Sequence, residues 1–440
     1  MKSKKIFLII MIAIVLSAGW FAAIKKVSGI DQRNAQNALV SEARTYAGKK
    51  LYVRAIPLFE KALAYPTEQS AGIEAELLEA YQEYGDIQGY IGLIEKRASD
   101  GTAREAEYIA AADYYLSRRD TAEAMELVKK GIGQLGTENL KNYYEKNRYG
   151  NEIRITEYEE IIPTQTNVLM PAFDGSSWVY IDKDGRDVGV GVFDSAMPFN
   201  ADGYGVVSKN GTYYTILTNG DLYGVDEAGA EDVYGLSGDR ILAKYGGKYS
   251  YYNYDFEALA GENHRYDAIT VNHDGVAAVK SGGKWGIISD SGEATIDFIL
   301  EDVAVSSTGT VFAGGAAMVK TGGSWYLIDT EGNKASEDGF ADAKAPESPD
   351  GLIAVANSAG KWGYIDRSGK LVIDYRYDDA RSFSNALGAV KLGGIWHYIS
   401  EQDTAVIDIG FLDAQPFHNG TAQARVTDGA VLITLDYFED

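Results

Sequence analysis

A repeat of about 36 residues runs through the last two thirds of this 440-residue chain and limits the folds open to it. In each copy an aromatic residue follows a glycine-rich turn, at Trp178, Tyr213, Tyr249, Trp285, Trp325, Trp362 and Trp396. Val431 holds this position in an eighth, eroded copy, and the successive spacings are 35, 36, 36, 40, 37, 34 and 35 residues. Such a regular period predicts an array of similar units, because one unit of this size cannot bury its apolar face alone.

Within each copy the pattern is that of short β-strands. In residues 360–394, a strand begins at Trp362, a turn contains Gly369, and a further strand follows from Leu371 to Asp374. Four strands of about five residues, joined by short turns, fill the period. We therefore predict that residues 151–440 form an all-β repeat domain of about eight units. An eight-bladed β-propeller is the first choice, since radial closure hides strand edges, and an open β-solenoid is the second.

Two copies contain the sequence GKWG, at residues 283–286 and 360–363, followed by IISDSG or YIDRSG. They resemble the bacterial WG-repeat proteins, also called KWG-repeat proteins, and the resemblance implies a β architecture without indicating an activity. Only Trp285-Gly286 and Trp362-Gly363 keep the full dipeptide. A large ring on a strand buries about 150–250 Å², and a glycine beside it admits a neighbouring backbone. We expect the repeated aromatics to join adjacent units, with a ligand-stacking platform as the alternative.

Residues 30–150 show helical periodicity instead, with small residues placed to let helices approach closely. Ala43, Tyr46, Ala55 and Phe59 mark a first helix pair, and a later pair repeats the pattern; its packing residues are Ala112, Tyr115 and Ala124. The 69 residues from Ala55 to Ala124 accommodate two periods of about 34. This spacing, and the run AIPLFEKALAYP at 55–66, resemble tetratricopeptide repeats. The resemblance implies a peptide-binding groove; a simple spacer is the alternative.

The N-terminal segment, residues 1–29, is predicted to anchor the chain in a membrane. Residues 6–24 carry no charge, and Lys25 and Lys26 close the run. A helix of this length covers about 28 Å, close to the hydrocarbon thickness of a bilayer. Three lysines before the run favour an N-terminus inside, which would place the bulk of the chain outside the cytoplasmic membrane. A cleaved signal peptide, giving a secreted protein, is the alternative.

Charge and composition exclude several kinds of chemistry. The formal net charge is −23, and residues 151–440 hold 20 Lys/Arg against 45 Asp/Glu, so nucleic acid is excluded as a partner. There is no cysteine, and only four histidines occur. The sequence also lacks phosphate-loop, zincin and esterase-elbow motifs. We predict no catalytic residues, no cofactor and no metal site.

Together these features predict a multidomain, membrane-anchored, non-enzymatic scaffold that binds proteins or peptides through its helical and β-repeat surfaces. Two alternatives remain open. The β domain could bind carbohydrate or cell wall through its aromatic residues, or the chain could be a sensor ectodomain or structural stalk.

Overall fold

The structure is a computed structural model that describes residues 31–65, 67–162, 164, 169–259, 265–335 and 338–438. The chain divides into two compact units, Met1–Glu145 and Lys146–Asp440. The predicted anchor, residues 1–29, lies outside the described residues. Within the described part of the chain, no helix is both long and apolar enough to cross a membrane.

The first unit is helical. Seven helices occur in the described residues: α1 (31–47), α2 (Tyr52–Leu63), α3 (Ser70–Tyr84), α4 (Ile87–Ser99), α5 (Glu105–Ser117), α6 (Thr121–Leu135) and α7 (Glu138–Asn147), the last of which crosses the unit boundary. α3 and α6 each end at a glycine with positive φ, Gly85 and Gly136, as helix C-termini commonly do. Residues of α1 to α5 contribute to one apolar core.

The second unit is a series of small antiparallel sheets, in which consecutive strands pair with each other. Its first strand, β1 (Asn151–Ile155), is the exception, because it pairs with the last strand of the chain. Sheet 1 contains β2 (Glu160–Ile161), β3 (Met170–Phe173) and β4 (Trp178–Ile181), and sheet 2 contains β5 (Ser195–Ala196), β6 (Tyr204–Lys209), β7 (Thr212–Leu217) and β8 (Leu222–Val225). Sheet 3 contains β9 (Asp232–Ser237), β10 (Arg240–Tyr245) and β11 (Lys248–Tyr252). Sheet 4 contains β12 (Ala268–Ile269), β13 (Val276–Ser281), β14 (Lys284–Ser289) and β15 (Ala294–Leu300).

Sheets 5 to 8 continue in the same way. Sheet 5 contains β16 (Asp302–Val303), β17 (Ala316–Thr321) and β18 (Ser324–Asp329), and sheet 6 contains β19 (Asp342–Ala343), β20 (Ile353–Ala356), β21 (Trp362–Ile365) and β22 (Leu371–Tyr377). Sheet 7 contains β23 (Asp379–Ala380), β24 (Gly388–Leu392) and β25 (Ile395–Ile399). Sheet 8 contains β26 (Asp413–Ala414), β27 (Thr421–Val426), β28 (Gly429–Leu435) and β1.

The described sheets alternate between three and four strands, whereas the sequence predicts four in every copy. Outer strand β22 is rich in β-branched and aromatic residues, which favour extended structure. The corresponding segment of sheet 5, residues 330–340, is rich in polar residues and glycine. Its described residues, 330–335 and 338–340, form isolated bridges rather than a strand, such as that of Phe340 with Trp325. From the sequence, residues 377–383 are also a candidate fourth strand of the copy at 360–394. In the structure Tyr377 instead ends β22, and Asp379–Ala380 form β23, the first strand of sheet 7.

Sheet 8 connects to sheet 1 through backbone and side-chain contacts. Strand β1 pairs with β28 in the register Asn151 with Leu435 to Ile155 with Val431. In addition, the Gln423 side chain accepts a hydrogen bond from the Ile161 amide and donates one to the Glu159 carbonyl, both at 3.1 Å. The β unit is therefore a propeller-like series of sheets whose two ends are in contact.

Candidate functional site

The repeated aromatic residues lie between neighbouring sheets. Trp285, Trp325, Trp362 and Trp396 are only 4–8% exposed, and Trp178, Tyr213 and Tyr249 are half-buried. Each belongs to an apolar cluster that also contains residues of the next sheet. Trp362 of sheet 6, for example, shares a cluster with Phe383 and Val390 of sheet 7. These rings therefore contribute to the cores that hold successive sheets together.

Gly286 and Gly363, the second residues of the two Trp-Gly dipeptides, face the backbone of an outer strand. A Cβ on Gly363 would lie 2.5 Å from the Ile373 carbonyl oxygen, and one on Gly286 would lie 2.9 Å from that of Ile296. The register shifts in both places, since the outer strand bulges opposite the dipeptide. Glycine is therefore required where the fourth strand approaches this closely.

A second recurring ring, which we did not single out in the sequence, lies two positions after the aromatic in four sheets, at Tyr180, Tyr251, Tyr364 and Tyr398. The buried hydroxyls of Tyr180, Tyr364 and Tyr398 donate to the carbonyls of Met197, Arg381 and Gln415 in the next sheet, at 2.7, 3.0 and 2.7 Å. Burial raises the pKa of all three phenols well above the ordinary value. Each phenol therefore remains a hydrogen-bond donor and joins two sheets. The signal was present in the sequence, as a tyrosine at a constant offset in four copies.

The carboxylates that recur in the repeats have a structural role at the hairpin turns. In five sheets an acidic residue just before the first strand accepts a hydrogen bond from the amide of a turn glycine, at 2.8–3.1 Å. The pairs are Asp194 with Gly211, Glu231 with Gly247, Asp267 with Gly282, Glu301 with Gly323, and Asp378 with Gly393. This recurrence accounts for these residues without an acid–base role.

A cavity of about 660 Å³ lies among the first strands of sheets 1, 5, 6, 7 and 8. Its walls are polar and carry both signs of charge; they include Glu159, Glu160, Lys344, Arg381, Asp413, Gln423 and Arg425. Cavities of 300–1,000 Å³ are typical of ligand pockets. Because five sheets contribute to its walls, this is the candidate functional site of the β unit.

Two cations in the cavity wall occupy equivalent positions, two residues after the start of a first strand. Lys344 pairs with Asp379 of the next sheet at 3.5 Å, and Arg381 pairs with Asp413 of the next sheet at 3.0 Å. Each cation also lies over the repeated tryptophan of its own sheet, at 4.7 and 5.1 Å from the ring centre. The cavity wall is thus cross-linked from sheet 6 through sheet 7 to sheet 8.

One side of the cavity is formed by residues 304–310, which we call the insert loop. The carbonyl of Gly309 accepts a hydrogen bond from the Val271 amide of sheet 4 at 2.9 Å. On the other side, Ser307 Oγ donates to Glu347 Oε2 at 2.7 Å and lies 2.6 Å from Nε2 of the buried His418. The insert loop therefore touches segments that follow the first strands of sheets 4, 6 and 8.

The Ser307, His418 and Glu347 side chains do not have the geometry of a serine hydrolase triad. In such a triad the acid binds Nδ1 of the histidine, opposite the nitrogen that faces the serine. Here Glu347 binds Ser307 and lies 3.3 Å from the same nitrogen, Nε2. In the part of the chain that the structure describes, no group of His, Asp or Glu residues could hold a metal ion. This cluster fixes the insert loop in place.

In the helical unit, the predicted packing residues lie at the helix contacts. Ala43, Ala55, Ala112, Ala124 and Phe59 are at most 1% exposed, and Tyr46 and Tyr115 are half-buried against the apolar core. Sequence reasoning missed the role of two further glycines, Gly89 and Gly131. A Cβ at these positions would lie 2.4 and 2.8 Å from the rings of Tyr81 and Tyr108. A groove of about 810 Å³ in this unit is lined by residues of α1 and of α3 with the two residues that precede it.

A sequence profile described as the WG-containing repeat matches residues 178–213, 263–285 and 362–396. The chain contains WG repeats. The WG repeats thus coincide with parts of the β unit in which the aromatic residues join neighbouring sheets. No curated protein sequence matches the chain.

Several solved structures are similar to this chain at low sequence identity. One, described as a eukaryotic initiation factor, is 10% identical with a TM-score of 0.42, and the match covers 64% of this chain and 86% of that one. The Pan2 WD40 domain of Neurospora crassa is 9% identical with a TM-score of 0.29, covering 66% and 90%. YCF48 bound to D1 peptide is 13% identical with a TM-score of 0.28, covering 66% and 97%. These neighbours are propeller-like β domains.

Proposed function

We propose that this WG-repeat protein is a membrane-anchored, non-enzymatic scaffold that holds a segment of a partner protein in the central cavity of a closed, eight-bladed propeller. The contacts between sheets 1 and 8 support a closed ring over an open solenoid. The bulk of the chain lies outside the cytoplasmic membrane in this proposal, and the tetratricopeptide-like helical unit offers a second binding surface.

The cavity is the observation that carries this function. Its exposed groups include carboxylates at Glu159 and Glu160 and a guanidinium at Arg425, beside neutral donors and acceptors such as Gln423. A peptide presents backbone amides and carbonyls together with charged side chains, so it can satisfy a wall of this mixed kind. The fixed insert loop and the ion pairs between sheets keep the wall preorganised, which lowers the entropic cost of binding.

Binding of carbohydrate through the repeated aromatics is not favoured. It requires exposed rings on which a sugar can stack, and four of the five repeated tryptophans are at most 8% exposed. A stalk or spacer has no need for a preorganised cavity, so that alternative is also less well supported.

Site-directed photo-cross-linking in cells tests the cavity. A photoreactive phenylalanine analogue replaces Arg425 in the full-length protein, and a matched variant carries it at Lys284, an exposed cation on β14 outside the cavity. We expect light-dependent adducts to another protein from position 425 and not from position 284. The same adducts from both positions, or none from position 425, would contradict the proposal.

Membrane anchoring is tested separately with the full chain. The protein should remain with the membrane fraction after alkaline carbonate extraction, and substitution of Val15 by arginine in the apolar run should release it, because a charge at mid-bilayer is costly. Protease added outside intact cells should degrade residues 27–440. Protection of these residues would refute the proposed orientation.

A further inference from the structure

The four-stranded sheets each end in an outer strand with one unpaired edge, and three of these strands carry charged residues. β1 contains Glu152 and Arg154, β15 contains Asp297, and β22 contains Asp374 and Arg376. Charged side chains on an edge strand hinder the addition of another strand. β8, with the sequence Leu-Tyr-Gly-Val, has no charged residue at all.

The side chains of β8 form an exposed apolar row. Leu222, Tyr223 and Val225 are 45–56% exposed, and Gly224 is covered by the backbone of Tyr254. The Tyr223 ring contacts the Tyr204 ring edge-on, with 5.9 Å between the ring centres, and the Tyr204 ring stacks on that of Tyr254, with 4.3 Å between the centres. These contacts hold Tyr223 beside the edge, where its exposed part stays available. Among the described residues, no strand pairs with the second edge of β8.

The surroundings of β8 are acidic. Residues 201–240 contain seven carboxylates, against one lysine, Lys209, and one arginine, Arg240, which pairs with Asp239. Asp221 and Glu227, which flank the strand on either side, are exposed, as is Asp202 on the turn before β6. An apolar edge without charged side chains, in an acidic setting, favours a partner strand that carries positive charge, because apolar contacts and electrostatic complementarity then act together.

We propose that β8 is a docking edge for an extended, basic segment of a partner protein, which adds to sheet 2 as a fifth strand. Backbone hydrogen bonds to β8 supply affinity that does not depend on the partner's sequence. Alternate side chains of the segment are then apolar against Leu222 and Val225, or cationic against the face of Tyr223 and the flanking carboxylates. This surface is separate from the central cavity, so it can be occupied or lost independently of it.

Fluorescence anisotropy with the full-length protein tests this edge. The probe is a fluorescein-labelled octapeptide of alternating arginine and valine, and the comparison peptides are an alternating glutamate–valine octapeptide and an arginine–valine peptide N-methylated at every second amide. We expect the first peptide to bind at least tenfold more tightly than either comparison peptide, because the acidic peptide has the wrong charge and the methylated one cannot complete the ladder.

A pair of matched variants locates the binding. Tyr223→Lys places on β8 the kind of charge that the other outer strands carry, and Val372→Lys introduces the same charge on β22, at a residue that is 49% exposed. We expect a loss of affinity of tenfold or more in the first variant and less than twofold in the second, with both far-UV spectra unchanged. Equal losses in the two variants, equal binding of the methylated peptide, or no binding of the arginine–valine peptide would overturn the proposal.

Discussion

Removing one hydroxyl between sheets 7 and 8 measures how strongly the repeated rings join the sheets. In Tyr398→Phe the fully buried ring is kept, and the only loss is the 2.7 Å hydrogen bond to the Gln415 carbonyl. A buried acceptor that loses its donor costs about 1–3 kcal/mol, and no large cavity adds to this. We expect the free energy of unfolding of the β unit to fall by about 1–2 kcal/mol, which lowers its melting temperature by roughly 2–6 °C.

Tryptophan fluorescence during urea unfolding is a suitable assay, since five of the six tryptophans lie in the β unit. Tyr223→Phe is the matched control: it removes a hydroxyl from a half-exposed ring and should change the free energy by less than about 0.5 kcal/mol. Tyr364→Phe, at the equivalent position between sheets 6 and 7, should behave as Tyr398→Phe does. If Tyr398→Phe is as stable as the control, the view that these hydroxyls hold adjacent sheets together is wrong.

Other predictions concern the outer strands and the helical unit. Gly363→Ala should destabilise the β unit by more than about 2 kcal/mol in urea titrations, because its Cβ would meet backbone atoms. Gly72→Ala, in an open part of α3, should instead stabilise the helical unit by about 0.4–1 kcal/mol. Arg97→Ala should cost about 1–3 kcal/mol by circular dichroism at 222 nm, because it removes the buried cation shared by Glu74 and Glu107 and leaves them only the more exposed Lys96 and Arg104; a loss below 1 kcal/mol would show that Arg97 is unimportant to this network. Burial raises the pKa of Glu107, but hydrogen bonds from Arg104 and Arg97 outweigh it and the pKa is lowered. The stabilisation is therefore present above the unfolded-state pKa and should be lost as the pH falls through the folded-state pKa; thermal melts of Glu107→Gln should lack this acid-side dependence.

The repeating β architecture and the helical segment could be read from the sequence, because both depend on local periodicity. The period of the repeated aromatic residues predicts the spacing of the sheets along the chain. The alternation of side chains after Trp362 and after Leu371 predicts two of the strands. Small residues such as Ala55 and Ala124 similarly indicate helix contacts. In each case a few neighbouring side chains determine the local structure, so it can be predicted from the sequence pattern without knowledge of the rest of the fold.

The cavity and the β8 edge could not be predicted in this way. Ser307 and His418 are 111 residues apart, and nothing in the local sequence around either residue indicates that they meet. The spacing of 40 residues between Trp285 and Trp325 does reveal an insertion there, but not its position beside the cavity. The alternation of three- and four-stranded sheets depends on side-chain composition in the outer segments, which period counting ignores.

The pairing of β1 with β28 has a consequence for biosynthesis. The ribosome makes Asn151 nearly three hundred residues before its partner Leu435, so the earliest strand of the β unit has to wait for the newest one. Until then its hydrogen-bonding groups are open to wrong partners, including those on other nascent chains. A stop codon shortly before residue 429 would remove β28 and leave β1, at the opposite end of the unit, without its partner strand. Loss of C-terminal residues should therefore first disturb the start of the β unit, where β1 lies.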